Sequence, residues 1–212
     1  MARADVFVFL DSVQFEKQSW QSRNRIRTPK GDVQWLSVPI RKQSLSTVIK
    51  DIEIAPNPPG WRGKQMKTIA ANLQKAPSFA DAEMALGPAL GEDHAYLAEL
   101  NMAFIKQVAG ELGARTQFVR ASKLPCTGGR DQLLLNICNH FEADRYYSNA
   151  GSSIYLEESR SNFESQGVEL VFQNWLHPTY EQHGIGFVSH LSIIDTIAAV
   201  GWGGVREFLK LV

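Results

Sequence analysis

From Arg115 onward, short apolar runs and amphipathic stretches alternate at the spacing of βαβ units. Arg115–Val119, Asp144–Ser148 and Val168–Phe172 read as strands, rich in aromatic and β-branched residues. Gly129–Phe141 and Glu157–Gln166 read as helices between them, the second closed by Gly167. Parallel neighbours need a long crossover, usually a helix, whereas antiparallel neighbours need only a turn. The alternation therefore predicts an α/β fold, a mainly parallel sheet flanked by helices. Ser192–Val200 and a short Val205–Leu211 read as two terminal helices.

The N-terminal half has a different rhythm. Asp5–Leu10 reads as a buried strand, and Val33–Ile40 as a second one that Pro39 confines to an edge or an end. Lys50–Ile54 alternates and reads as a third. Three prolines between Ala55 and Gly60 make a loop. Trp61–Lys75, Phe79–Leu86 and Asp93–Leu112 then read as helices, so a helical region is inserted at about 61–112. At 212 residues, the expectation is a single domain over 1–212.

Composition narrows the functional classes. Hydrophobic residues make up 44% and charged residues 21%, enough for a core and too few charges for disorder. The formal net charge is zero, which argues against bulk nucleic-acid binding or adhesion to an anionic membrane. No apolar run reaches membrane-spanning length, and the start lacks a signal-peptide core. Cys126 and Cys138 form no CxxC, and Cys138 lies in an apolar helical pattern as a reduced thiol would. The expected compartment is the cytoplasm. Five histidines without ligand spacing predict no metal site. No GxGxxG, Walker lysine, GxSxG or HExxH occurs, so no cofactor is expected. Nothing in the pattern specifies an oligomeric state.

Three segments carry chemistry. Lys17–Lys30 holds Lys17, Arg23, Arg25, Arg27 and Lys30 and no acid. Arginine forks match phosphate or carboxylate, Asn24 adds a neutral hydrogen bond, and Trp20 can stack on a base or sugar. The alternative is a solvated segment whose arginines pair with acids elsewhere. The run His177-Pro178-Thr179-Tyr180-Glu181-Gln182-His183 follows the strand that ends at Phe172. There His177 is a candidate general acid or base, Tyr180 a candidate for orienting substrate, and an ordinary surface turn the alternative. His190-Leu191-Ser192-Ile193-Ile194-Asp195 is a loose capping box with Ser192 as N-cap. A helix start beside His190 is also a place where an anion can sit.

Several of these runs fall together in one order. Ala4–Phe15, Trp20-Gln21-Ser22-Arg23-Asn24-Arg25-Ile26 and Trp35-Leu36-Ser37-Val38-Pro39 resemble the opening of the WbqC-like family. Trp61 with Lys64 and Lys67, Ala76–Phe79, Tyr147–Gly151, His177–Gln182 and Leu191–Asp195 continue the resemblance over nearly the whole chain. It implies a role in bacterial surface-polysaccharide biosynthesis, including O-antigen assembly. The implied activity is transfer of a glycyl, other aminoacyl or acyl group to a nucleotide- or lipid-linked sugar. In that reading Arg23 and Arg25 hold an anionic group, with Lys17, Trp20, Asn24, Tyr180, Gln182 and Ser192 also binding substrate. His177 moves a proton, and Asp195 supports a histidine such as His190. The rivals are a non-catalytic nucleotide-sugar binding module and a structural subunit of an assembly complex. Two departures stand out. The family pattern usually opens earlier, with a strand and a Gln-Pro segment that would precede Met1, and Asp11-Ser12 stands where the family often has two aspartates.

Overall fold

The structure, a computed structural model, describes residues 3–210. The chain folds as two compact units, 1–118 with 177–212, and 119–176. The first unit contains β1 (Val6–Phe9), β2 (Arg23–Arg27) and β3 (Val33–Ser37), then α1 (Trp61–Leu73), α2 (Phe79–Leu90) and α3 (Leu97–Glu111). β4 (Gln117–Arg120) leads into the second unit, which contains α4 (Arg130–His140), β5 (Arg145–Ser148), α5 (Ser153–Leu156), α6 (Arg160–Ser165) and β6 (Glu169–Phe172). α7 (Ile193–Leu209) returns to the first unit. No helix among the described residues is long and apolar enough to cross a membrane.

The architecture mixes helices with short sheets, and the strands pair in twos. β5 and β6 run parallel, with Arg145 opposite Glu169 and Ser148 opposite Phe172, joined by the expected helical crossover. β2 and β3 instead form an antiparallel hairpin, with Arg23 opposite Ser37 and Arg27 opposite Val33. Its turn is the Pro29-Lys30-Gly31 segment, where Gly31 adopts φ 93°, a conformation glycine reaches without a Cβ penalty. Among the described residues the other edge of β2 meets no strand. There the N–H of Ser192 donates to the carbonyl of Arg25 at 2.8 Å, and the N–H of Arg27 donates to the Asp195 carboxylate at 2.8 Å. The N-terminus of α7 thus closes an edge that would otherwise be open for pairing.

The helical region expected near 61–112 is present as α1, α2 and α3. Ile69, Leu73, Ala82, Ala85, Leu86, Ile194, Ile197 and Val205 form the main core, into which β2 inserts Ile26 at 0% exposure. Small alanines on α2 let α7 approach closely. The segment Lys50–Ile54 is a 3-10 turn at Ile49–Asp51 followed by isolated bridges, because its alternation serves to bury Ile52 under Phe15 and Leu97. The two expected terminal helices are continuous but kinked at Gly201. Leu211, expected at the end of the last helix, lies outside the described residues.

Candidate functional site

Alternation along β2 sends Asn24 and Ile26 to one face and Arg23, Arg25 and Arg27 to the other. On that second face Trp35 stands opposite Arg25. The Arg23 guanidinium lies 4.4 Å from the centre of the Trp35 ring. That of Arg25 lies 5.4 Å from Trp20 and 5.9 Å from Trp35, and the two indoles are 5.4 Å apart. Trp20 is 59% exposed, so this aromatic platform faces solvent. Among the described residues no carboxylate pairs with Arg23 or Arg25, and the Nε of each is buried without a hydrogen-bond partner. A guanidinium over an indole ring keeps its N–H donors for another partner, such as an anion.

Two clefts adjoin this platform. One, of about 350 Å³, is lined by Lys17, Arg23, Arg41 and Lys42 with Gln18 and Gln43. Arg41 is paired with Glu53 at 2.8 Å. The other, of about 130 Å³, runs between the hairpin and the helices and is lined by Trp20, Asn24, Ser192 and mainly aliphatic side chains. The Oδ1 of Asn24 accepts the N–H of Arg25 at 2.8 Å. Arg23 lines both clefts, Lys17 the basic one, and Trp20 and Asn24 the other, while Arg25 reaches them through Trp20.

Arg27 behaves differently from its two neighbours. At 1% exposure its guanidinium is enclosed by the 182–188 segment. It donates to the Gln182 side-chain oxygen at 2.6 Å and to the carbonyls of Ile185 and Gly186. Gln182 also bonds both backbone groups of Val188, at 2.7 and 2.9 Å. Its amide is thus occupied in holding the strap against β2. Asp195, 3% exposed, supports the backbone of Arg27, and its carboxylate has no contact with His190 among the described residues. Burial pushes the Asp195 carboxyl above its ordinary value, while the Arg27 N–H, the Arg27 charge and His183 oppose that shift. Ser192 occupies the expected N-cap position, but its side chain makes no cap hydrogen bond.

His177, Tyr180, Phe187 and His190 form an aromatic cluster. The His177 ring lies 4.7 Å from His190, 6.3 Å from Tyr180 and 6.1 Å from Phe187. Nδ1 of His177 is 2.8 Å from the Pro178 carbonyl, and the backbone N–H of His190 donates to Nε2 at 3.2 Å. A carbonyl only accepts and a backbone amide only donates, so this geometry selects the neutral Nδ1–H tautomer. The His190 backbone sits at φ 57°, a left-handed conformation sparse for a residue with a Cβ. Tyr180 Oη is 2.8 Å from Thr196 Oγ1, and burial raises its pKa.

Trp35, Arg41 and Lys42 join the expected residues at this place in the folded chain. Counting outward from the Pro29-Lys30-Gly31 turn places Trp35 opposite Arg25, so its signal was present in the register. Arg41 and Lys42 lie beyond the hairpin, and only the tertiary path brings them to Arg23.

Residues 1–207 match the model of the WbqC-like protein family. This chain belongs to the WbqC-like family. It is also similar to the uncharacterized protein Rv1507c of Mycobacterium tuberculosis. The two are 27% identical over 204 residues, covering 95% of this chain and 86% of that protein. No solved structure matches the chain. The hairpin, strap and histidine cluster of this WbqC-like protein all fall inside the matched residues.

Proposed function

We propose that this WbqC-like protein is a transferase that moves an acyl-type group to or from a phosphate-bearing sugar in bacterial surface-polysaccharide biosynthesis. The observation that carries the reading is the Arg23–Arg25 pair, stacked on Trp35 and Trp20 without a carboxylate partner among the described residues. Arg41 ends on Glu53 and Arg27 on the carbonyls and amide of the strap, whereas Arg23 and Arg25 meet indoles. Arginines set beside indoles with no acid are available to an anion from solution, and the exposed Trp20 offers a face to a base or sugar. Lys17 and Lys42 extend the positive wall for a second phosphate.

Within this reading His190 is the proton-transfer group. Its ring has no hydrogen-bond partner among the described residues, while the lone pair of His177 accepts the His190 N–H. His177 is then a positioning residue that holds His190 in its left-handed conformation. A non-catalytic nucleotide-sugar binding module is the second reading, and the engagement of both His177 nitrogens favours it.

Calorimetric titration with a panel of nucleotide-linked sugars tests the site. Arg23→Ala/Arg25→Ala is expected to weaken binding by at least about tenfold, two charge-assisted contacts being lost. Unaltered affinity in that variant sinks the site. A mass-spectrometric transfer assay separates the two readings. In the enzyme, His190→Ala keeps affinity and loses turnover, whereas binding without turnover in the parent protein marks the module.

A further inference from the structure

The basic cleft and the aliphatic cleft meet at Ser22 and Arg23, which line both. The basic cleft takes its charge from Lys17, Arg23, Arg41 and Lys42. Leu36, Ile69, Leu86, Leu90, Leu100 and Phe104 give the second cleft its apolar wall. Two of the amide donors that line it are already used. Asn101 Nδ2 donates to the Gln21 carbonyl at 2.8 Å, and Gln65 Nε2 to the Ser37 carbonyl at 2.6 Å. No aspartate or glutamate lines either cleft among the described residues. A cavity of about 150 Å³ with Leu, Ile and Phe walls accommodates a group of benzene size, so the aliphatic cleft matches a short chain.

We infer that the site takes an amphiphilic anion, a short, uncharged acyl chain carried on a phosphate-bearing head. The head lies among Lys17, Arg23 and Lys42, and the chain turns past Arg23 into the cleft between the hairpin and α2 and α3. This rests on the anion-binding reading above and narrows it, because it separates acyl from aminoacyl ligands. An ammonium group in the aliphatic cleft would lose its water, meet no carboxylate and lie near the Arg23 charge. A plain aliphatic chain gains from the same burial.

The test is isothermal titration calorimetry with inorganic phosphate, n-hexyl phosphate and 6-aminohexyl phosphate. Hexyl phosphate is expected to bind at least about tenfold tighter than inorganic phosphate, since each buried methylene contributes. Aminohexyl phosphate is expected to show none of that gain. Ala89→Leu, which adds bulk at a lining position, should bring the hexyl-to-phosphate affinity ratio close to one. Leu90→Asn, at a partly buried position, gives the same readout should the first variant fail to fold. Equal binding of hexyl phosphate and inorganic phosphate overturns this inference and leaves the anion site standing. Aminohexyl phosphate binding as tightly as hexyl phosphate overturns it too. Failure of all three probes to bind overturns both.

Discussion

Three arginines at alternate positions of one strand have two different roles. Arg23 and Arg25 meet indoles and solvent, and Arg27 meets carbonyls and an amide in a closed environment. Replacing Arg27 with alanine leaves two backbone carbonyls without their donor, takes one of two donors from Gln182 Oε1 and removes a charge that offsets Asp195. The expected loss is about 3–5 kcal/mol of stability, the range for removing one member of a buried charged network, read from urea unfolding. Asp195 gives a prediction in pH. Its folded-state pKa is raised, so the folded state holds this proton more tightly than the unfolded chain. Its contribution to stability is therefore greatest below the unfolded value and is lost as pH rises through the folded one. Unfolding midpoints of the parent protein should fall relative to Asp195→Asn as pH rises upward from about 4, the ordinary carboxyl range. A constant difference between the two proteins across that range would contradict the assignment.

At the level of elements, the kink in α7 is the most exposed to a single change. Gly201 has φ 66° and ψ 179°, a region that only glycine occupies readily. A Cβ there would sit 3.0 Å from Ser78 Oγ and 3.1 Å from Asp81 Oδ2 on the facing helix start. Gly201→Ala should cost about 1–3 kcal/mol, visible as a lower thermal midpoint. The hairpin shows how far local patterning reaches. The Pro29-Lys30-Gly31 sequence is itself a turn signal, and Ile26 between Arg25 and Arg27 marks the face that turns to the core. The antiparallel sense of β2 and β3 departs from the mainly parallel expectation, because a five-residue turn joins them and no crossover helix intervenes. Lys50–Ile54 misled for another reason. Alternating burial is required both of a strand and of a turn that tucks every second residue under a neighbour.

At the scale of the whole molecule, the chain divides its apolar residues between two units. The second has its own interior, in which Phe163 and Leu156 are each 0% exposed beside Val168 and Leu170. Phe163→Ala should cost that unit about 3–5 kcal/mol. Amide hydrogen exchange is the measurement. Faster exchange confined to 119–176, with the β2–β3 amides still protected, is expected of a unit with its own core. Equal loss of protection throughout would mean that the two units unfold together. The formal charge of zero also acts at this scale. It leaves no large field, so the anion recognition proposed above rests on the local concentration of Lys17, Arg23 and Lys42.

By itself the sequence determined what depends on neighbours along the chain. The helices of the 61–112 region, the βαβ crossover from β5 to β6, the turn before Val33 and the grouping of Lys17 to Arg25 are consequences of periodicity and turn chemistry, which operate over a few residues. The ordered motifs also carried the family. The tertiary structure decided what depends on distant partners. Only folding shows that Arg27 is buried under a strap 155 residues away, that Asp195 supports Arg27 and not His190, and that His177 holds the His190 backbone. A side chain's type limits the bonds it can make, but the atoms that reach it are set by packing, and packing joins segments far apart in the chain.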